Sequence, residues 1–175
     1  MSYFDIPMTD RVYLEEIQTQ CDFGIQSLRY LYKVYSSANM DISEFWYHIQ
    51  MFLTSTANVD KLLFGAKREY KPHHKEIREK YNFPDFEFSV ERKIRNSFDH
   101  IDEKIVDWAQ ASKYHNLASG NIMPKSFIGG NVGIDFFKNF DPSTNILSFG
   151  DLEIDTEDTF NKLLKLSQHI DEILT

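Results

Sequence analysis

The sequence predicts a mainly α fold: an up-down bundle of four long helices and one short one, with a small β-hairpin inserted before the last helix. Two observations carry the prediction. Apolar residues recur at helical spacing over four long stretches, which is the signature of amphipathic helices burying one face. Between residues 113 and 154 that spacing is lost, and this stretch holds five of the seven glycines and two of the five prolines.

Thr9 and Asp10 are good helix starters, and Leu14, Ile17, Cys21, Ile25, Leu28, Leu31, Tyr32 and Tyr35 keep a helical stripe from about residue 10 to 36. Ser36-Ser37-Ala38-Asn39 reads as a short connector, which makes the first two helices antiparallel neighbours. Asp41 followed by Glu44 resembles a capping box, and the helix it opens would bury Ile42, Phe45, Trp46, Ile49, Phe52, Leu53, Val59, Leu62 and Leu63 before stopping at Gly65.

Residues 66–88 read as irregular. Pro72 interrupts the pattern, a short charged helix is expected over about 73–81, and Pro84 breaks it again. Ser89 then caps a third long helix running to about Ser112, with Ile94, Phe98, Ile101, Ile105 and Trp108 inward. Asp141-Pro142-Ser143-Thr144-Asn145 is a turn sequence between Ile134–Phe140 and Ile146–Phe149, which predicts a hairpin or small sheet within a β-like insertion over about 113–154. The last helix is capped near Asp155 or Thr156 and turns Phe160, Leu163, Leu166, Ile170 and Ile173 inward.

At 175 residues the chain suits a single domain over 1–175, long enough to bury a core without cross-links. With Cys21 the sole cysteine, no intrachain disulfide can form and a reducing, cytoplasmic setting is expected. The N-terminus lacks the basic-then-apolar pattern of a secretory signal, and no apolar stretch approaches the ~20 residues needed to cross a bilayer, so no membrane association is expected. The aromatic residues fall at helical spacing and read as core rather than as a base-stacking platform.

The net charge of −8 argues against broad, non-specific nucleic-acid binding. Its distribution is uneven. Residues 67–95 carry 9 basic and 6 acidic side chains, whereas residues 1–66 carry 4 and 8, and residues 96–175 carry 6 and 13. The basic segment ends at Arg92, Lys93 and Arg95, and Arg92 and Lys93 are the candidate RNA-contacting cations.

The run Arg95-Asn96-Ser97-Phe98-Asp99-His100-Ile101-Asp102-Glu103 is the candidate site. On an unbroken helix, with Ile94 taken as 0°, Arg95 falls at about 100°, Asn96 at about 200° and His100 at about 240°. Asn96 and His100 are then i,i+4 neighbours, so the amide can orient the imidazole. Arg95 and His100 lie about 140° apart on such a helix. They meet more naturally across a cleft, between two helices or two copies of the chain. The residue types suit phosphodiester chemistry. A histidine moves a proton near neutral pH, and an arginine braces phosphoryl oxygens as charge develops. Asp99, one turn after Arg95, and Glu103, close to His100, are the candidate supporting groups.

This R-N-x3-H run, inside a helix of an all-helical bundle, resembles the HEPN superfamily and its R-x4-6-H signature, in which a polar residue usually follows the arginine. The resemblance implies a metal-independent endoribonuclease with Arg95 and His100 catalytic and Asn96 supporting. It further implies a homodimer with both motif residues in a shared cleft, and a role as a toxin or as an antiphage or stress effector, in toxin–antitoxin pairs with a protein antitoxin. Other members of the superfamily are non-catalytic binding or scaffolding modules, and that is the alternative. Arg68 also matches the spacing toward His73 and His74, but those matches straddle Pro72 and carry Glu69 after the arginine.

No cofactor is expected. A di-iron bundle needs Glu-x-x-His pairs, and the residues three before each histidine are Phe45, Tyr70, Lys71, Ser97, Ser112 and Leu166. A zinc site would have to draw on His73, His74, His100 and His115, with no thiolate or tight motif beside them. Gly129-Gly130-Asn131-Val132-Gly133 lacks the Gly-Lys-Ser/Thr ending of a phosphate loop and reads as a turn.

Overall fold

The computed structural model describes residues 3–128 and 133–175. The chain is mainly helical, with a strand region ahead of its last helix, as the apolar spacing predicts. It divides into two compact units, Met1–Arg92 with Phe160–Thr175, and Lys93–Thr159.

In the first unit, α1 (Met8–Tyr35) begins earlier than its starter residues suggest. Pro7 stands at the cap, and its carbonyl accepts from the Arg11 amide at 3.0 Å. Asp10 serves instead as an anchor for α3 (Lys71–Lys80): its carboxylate accepts from Lys80 at 2.5 Å and from Tyr81 at 2.7 Å. Burial pushes the Asp10 carboxyl up, but those two bonds and the nearby cations outweigh it and hold it below its ordinary value. The inward residues Leu14, Ile17, Cys21, Ile25, Leu28 and Leu31 are all buried. Burial, reinforced by Asp22, also pushes the Cys21 thiol well above its ordinary range. Cys21 in the native chain is therefore expected to resist an aromatic disulfide reagent and to react on unfolding. Rapid stoichiometric labelling without denaturant would contradict this.

The Asp41 side chain caps α2 (Ile42–Phe64), accepting from the Ser43 and Glu44 amides at 2.8 and 3.2 Å. Gly65 ends the helix at φ 72°, a left-handed conformation that favours glycine. Ile42, expected inside, is 56% exposed. The expected interruption at Pro72 is also corrected. Pro72 lies in the first turn of α3 (Lys71–Lys80), where an amide N–H has no intrahelical partner to lose. The side chains facing the end of α2 satisfy its last carbonyls. Tyr13 donates to the Leu62 carbonyl at 2.6 Å, His74 Nδ1 lies 2.9 Å from the same oxygen, and Arg78 donates to the Leu63 carbonyl. Burial pushes the Tyr13 hydroxyl up to about 12, against the opposing Arg78 charge.

The last helix, α6 (Thr156–Leu174), starts where expected, with Asp155 Oδ1 accepting from the Glu157 and Asp158 amides at 2.9 and 3.1 Å. Its C-terminal part packs on α1. Ser167 donates to Asp22 at 3.0 Å, and a Cβ placed on Gly24 would lie 2.9 Å from Leu163 Cδ1, so the glycine allows the close approach.

The second unit holds most of α4 (Ser89–Asp99), all of α5 (Ile101–Ala111) and the strands. The expected hairpin is present. β4 (Lys138–Asp141) pairs antiparallel with β5 (Ile146–Phe149) across a turn in which Asp141 Oδ1 accepts from the Ser143 amide at 2.9 Å and Asn145 takes φ 58°. The structure extends it to a four-stranded sheet. β2 (Asn121–Ile122) runs parallel to β4, and β6 (Leu152–Asp155) runs antiparallel to β5. Separately, β1 (Leu117–Ala118) pairs parallel with β3 (Asp135–Phe136). Among the described residues no helix is long and apolar enough to cross a membrane.

Candidate functional site

The single third helix expected over 89–112 is two helices. The break falls at His100, whose backbone leaves the helical region at φ −108° and ψ 37°. Asn96-Ser97-Phe98-Asp99-His100 is an uninterrupted run of weak helix formers, so the backbone gives way there at little cost. Hydrogen bonding nevertheless continues through the junction. The His100 amide donates to the Asn96 carbonyl at 3.1 Å, and the Lys104 amide to the His100 carbonyl at 3.0 Å. Angular positions calculated for one straight helix therefore stop at Asp99, and the junction sets the direction of the imidazole.

Each motif side chain finds its partner within its own turn. Arg95 is 25% exposed and bonds Asp99, one turn on, while its Nη1 also reaches Asn96 Oδ1 at 3.4 Å. The expected orientation of His100 by Asn96 is thus corrected: the amide oxygen faces the guanidinium. His100 is 62% exposed, and its Nδ1 lies 3.7 Å from Glu103 Oε1, a loose contact. Asp99 and Glu103 therefore stand beside the arginine and histidine respectively.

Arg92 and Lys93 differ in their surroundings. Lys93 is exposed. The Arg92 guanidinium lies 2.7 Å from Asp60, whose side chain is only 4% exposed, so this cation is committed inside the first unit. Burial raises the Asp60 carboxyl above its ordinary value, and Arg92 and the Phe88 backbone amide counter it only in part. A carboxyl raised on folding contributes stability below its unfolded value, and that contribution is lost as pH rises through the folded value. Removing Arg92 raises Asp60 further and leaves an uncompensated charge near neutrality. Arg92→Ala is accordingly expected to cost about 3 kcal/mol at pH 7 and clearly less near pH 4, as read by urea denaturation at both pH values. An equal cost at both would contradict the assignment.

Among the described residues there is no group of three or more His, Cys, Asp or Glu placed to hold a metal ion. His74 is occupied at the end of α2, and its neighbour His73 lies edge-on to Tyr13 at 5.8 Å. The glycine run from Gly129 lies, over residues 129–132, outside the described residues. Trp108 and Asp135 are cleft residues that the apolar spacing does not reveal. Trp108 falls on the apolar stripe and reads as core, yet its indole N–H donates to the Asp135 carbonyl at 3.2 Å on the wall of a cleft. Compared with known proteins, the chain matches no family model, no curated protein and no solved structure.

Proposed function

We propose that the chain is a HEPN-like protein, a single-domain helical bundle that cleaves RNA without a metal through Arg95 and His100, at a cleft completed by a second copy. The observation that carries the reading is the exposed His100 imidazole. It stands at the helix junction five residues after Arg95, with a loose 3.7 Å contact to Glu103. An imidazole so placed can take the proton of a ribose 2′-hydroxyl. O2′ then attacks phosphorus, the P–O5′ bond breaks and the 5′ oxygen takes its proton from the imidazolium so formed, leaving a 2′,3′-cyclic phosphate and a 5′-hydroxyl. Arg95 would brace the non-bridging oxygens. Its pairing with Asp99 does not bar this role. An i,i+4 ion pair of this kind is worth only about 0.3–0.5 kcal/mol, so a phosphate can compete with Asp99 for the guanidinium. Among the described residues Arg95 pairs with Asp99 and His100 approaches Glu103, and a homodimer would let the arginine of one copy face the histidine of the other. The cellular role that follows is a cytoplasmic toxin or antiphage or stress effector, restrained by a protein antitoxin.

The test is end-labelled structured RNA incubated with the purified chain in excess chelator. Fragments ending in 2′,3′-cyclic phosphate are expected. Intact RNA across varied structured substrates would sink the cleavage reading.

One observation favours a second reading, a non-catalytic HEPN-like binding or scaffolding module. Asp99, Asp102, Glu103 and Asp107 are exposed along α4 and α5 in a chain of net charge −8, which repels a polyanion. That reading predicts a stable complex with a protein partner that survives His100→Ala.

A further inference from the structure

A cleft of about 640 Å³ lies within the second unit, between α5 and the strands. Its apolar wall is aromatic. The half-buried Trp108 ring lies 5.0 Å from that of Phe137, and it is backed by buried rings, Phe137 lying 4.6 Å from Phe149. Cavities of this size, walled by rings and carrying a few polar groups, are the usual form of small-ligand sites.

The polar lining decides what the ligand can be. Lys104 and Lys125 both have carboxylates beside them already, Asp107 at 3.6 Å and Glu153 at 2.8 Å. Asp135 and Asp151 add two more carboxylates to the lining. Among the described lining residues negative charge is therefore in excess, and both cations are already paired. The described residues include no group of three or more His, Cys, Asp or Glu placed to hold a metal ion. Asp135 is held in place twice, by the Ser112 hydroxyl donating to Oδ2 and by the Trp108 indole donating to its carbonyl. A fixed acceptor beside aromatic faces suits a flat ring that presents N–H donors.

We propose that this cleft binds the amino-substituted heterocycle of a nucleoside, its ring against the aromatic wall and its N–H edge on Asp135. Guanine offers two adjacent donors, N1–H and the exocyclic amine, to a carboxylate that can accept several hydrogen bonds. Ser97 and Lys104 line the cleft and flank His100 along α4 and α5. On the ribonuclease reading, the bound base would belong to the RNA presented to His100. That link rests on the reading, whereas nucleoside binding does not.

The test is a titration of the full chain, labelled with ¹⁵N, with guanosine, uridine and guanosine 5′-monophosphate. Guanosine is expected to shift the Trp108 indole N–H saturably and to leave that of Trp46, in α2, in place. Uridine, with one ring donor, is expected to bind about tenfold more weakly or worse, and the monophosphate more weakly than guanosine. Asp135→Asn keeps an acceptor for Ser112 and is expected to weaken guanosine about tenfold. The comparison of nucleosides on the unaltered chain stands even if that variant misfolds. An unmoved Trp108 signal, equal affinity for guanosine and uridine, tighter binding of the monophosphate, or unchanged affinity in a folded Asp135→Asn would each overturn the proposal. Guanosine binding without RNA cleavage would retain the site and remove the ribonuclease. Cleavage without guanosine binding would do the reverse.

Discussion

Phe52→Ala is expected to destabilise the chain by about 3–5 kcal/mol, lowering the midpoint of thermal unfolding by about 10 °C. Phe52 is fully buried on α2, in company with the fully buried Phe45, Ile49 and Leu53 of the same helix and with the inward face of α1. Truncation removes the transfer free energy of a whole ring and leaves a cavity that two long packed helices cannot close by local adjustment. Ile42→Ala on the same helix makes the control. Ile42 is 56% exposed, so its loss should change stability by less than about 0.5 kcal/mol. Similar costs for the two would mean that α2 does not bury the face described.

His100→Ala is expected to lower RNA cleavage by about 10²–10⁴-fold, the usual contribution of a positioned acid or base, while leaving stability almost unchanged. The asymmetry follows from its surroundings. The imidazole is 62% exposed and approaches Glu103 only to 3.7 Å, so removing it creates neither a cavity nor an unpaired buried group. The amide of residue 100 still donates to the Asn96 carbonyl after substitution. A fall in activity with an unchanged unfolding curve therefore separates a chemical role from a structural one. A parallel fall in both would assign His100 to the helix junction.

The parts of this fold legible in the sequence are those set by neighbours a few residues apart. The Asp41 and Asp155 caps, the stop at Gly65, the stripes of α1 and α2 and the turn from Asp141 to Asn145 all rest on contacts within one turn of chain. The break at His100 is hidden because the apolar spacing of Ile94, Phe98, Ile101, Ile105 and Trp108 runs straight through it. Yet Ile105 is 46% exposed, and no residue of α5 is buried. Contacts distant along the chain leave no local mark either. The parallel pairing of Leu117 with Asp135 and the ion pair of Asp60 with Arg92 belong to this class. For the candidate site, the sequence identifies the residues, and the i,i+4 reach of Asp99 to Arg95 follows from helix geometry. The aim of the imidazole does not, because it depends on a junction whose backbone departs from the helix. Trp108 and Asp135 are hidden for a third reason: a tryptophan on a cleft wall and one in a core share the same periodicity.

The most direct test of the central claim is cleavage of end-labelled structured RNA in excess chelator by the parent chain and by His100→Ala, prepared identically. Fragments are expected from the parent, and about 10²-fold fewer or none from the variant. Equal cleavage by both would contradict it.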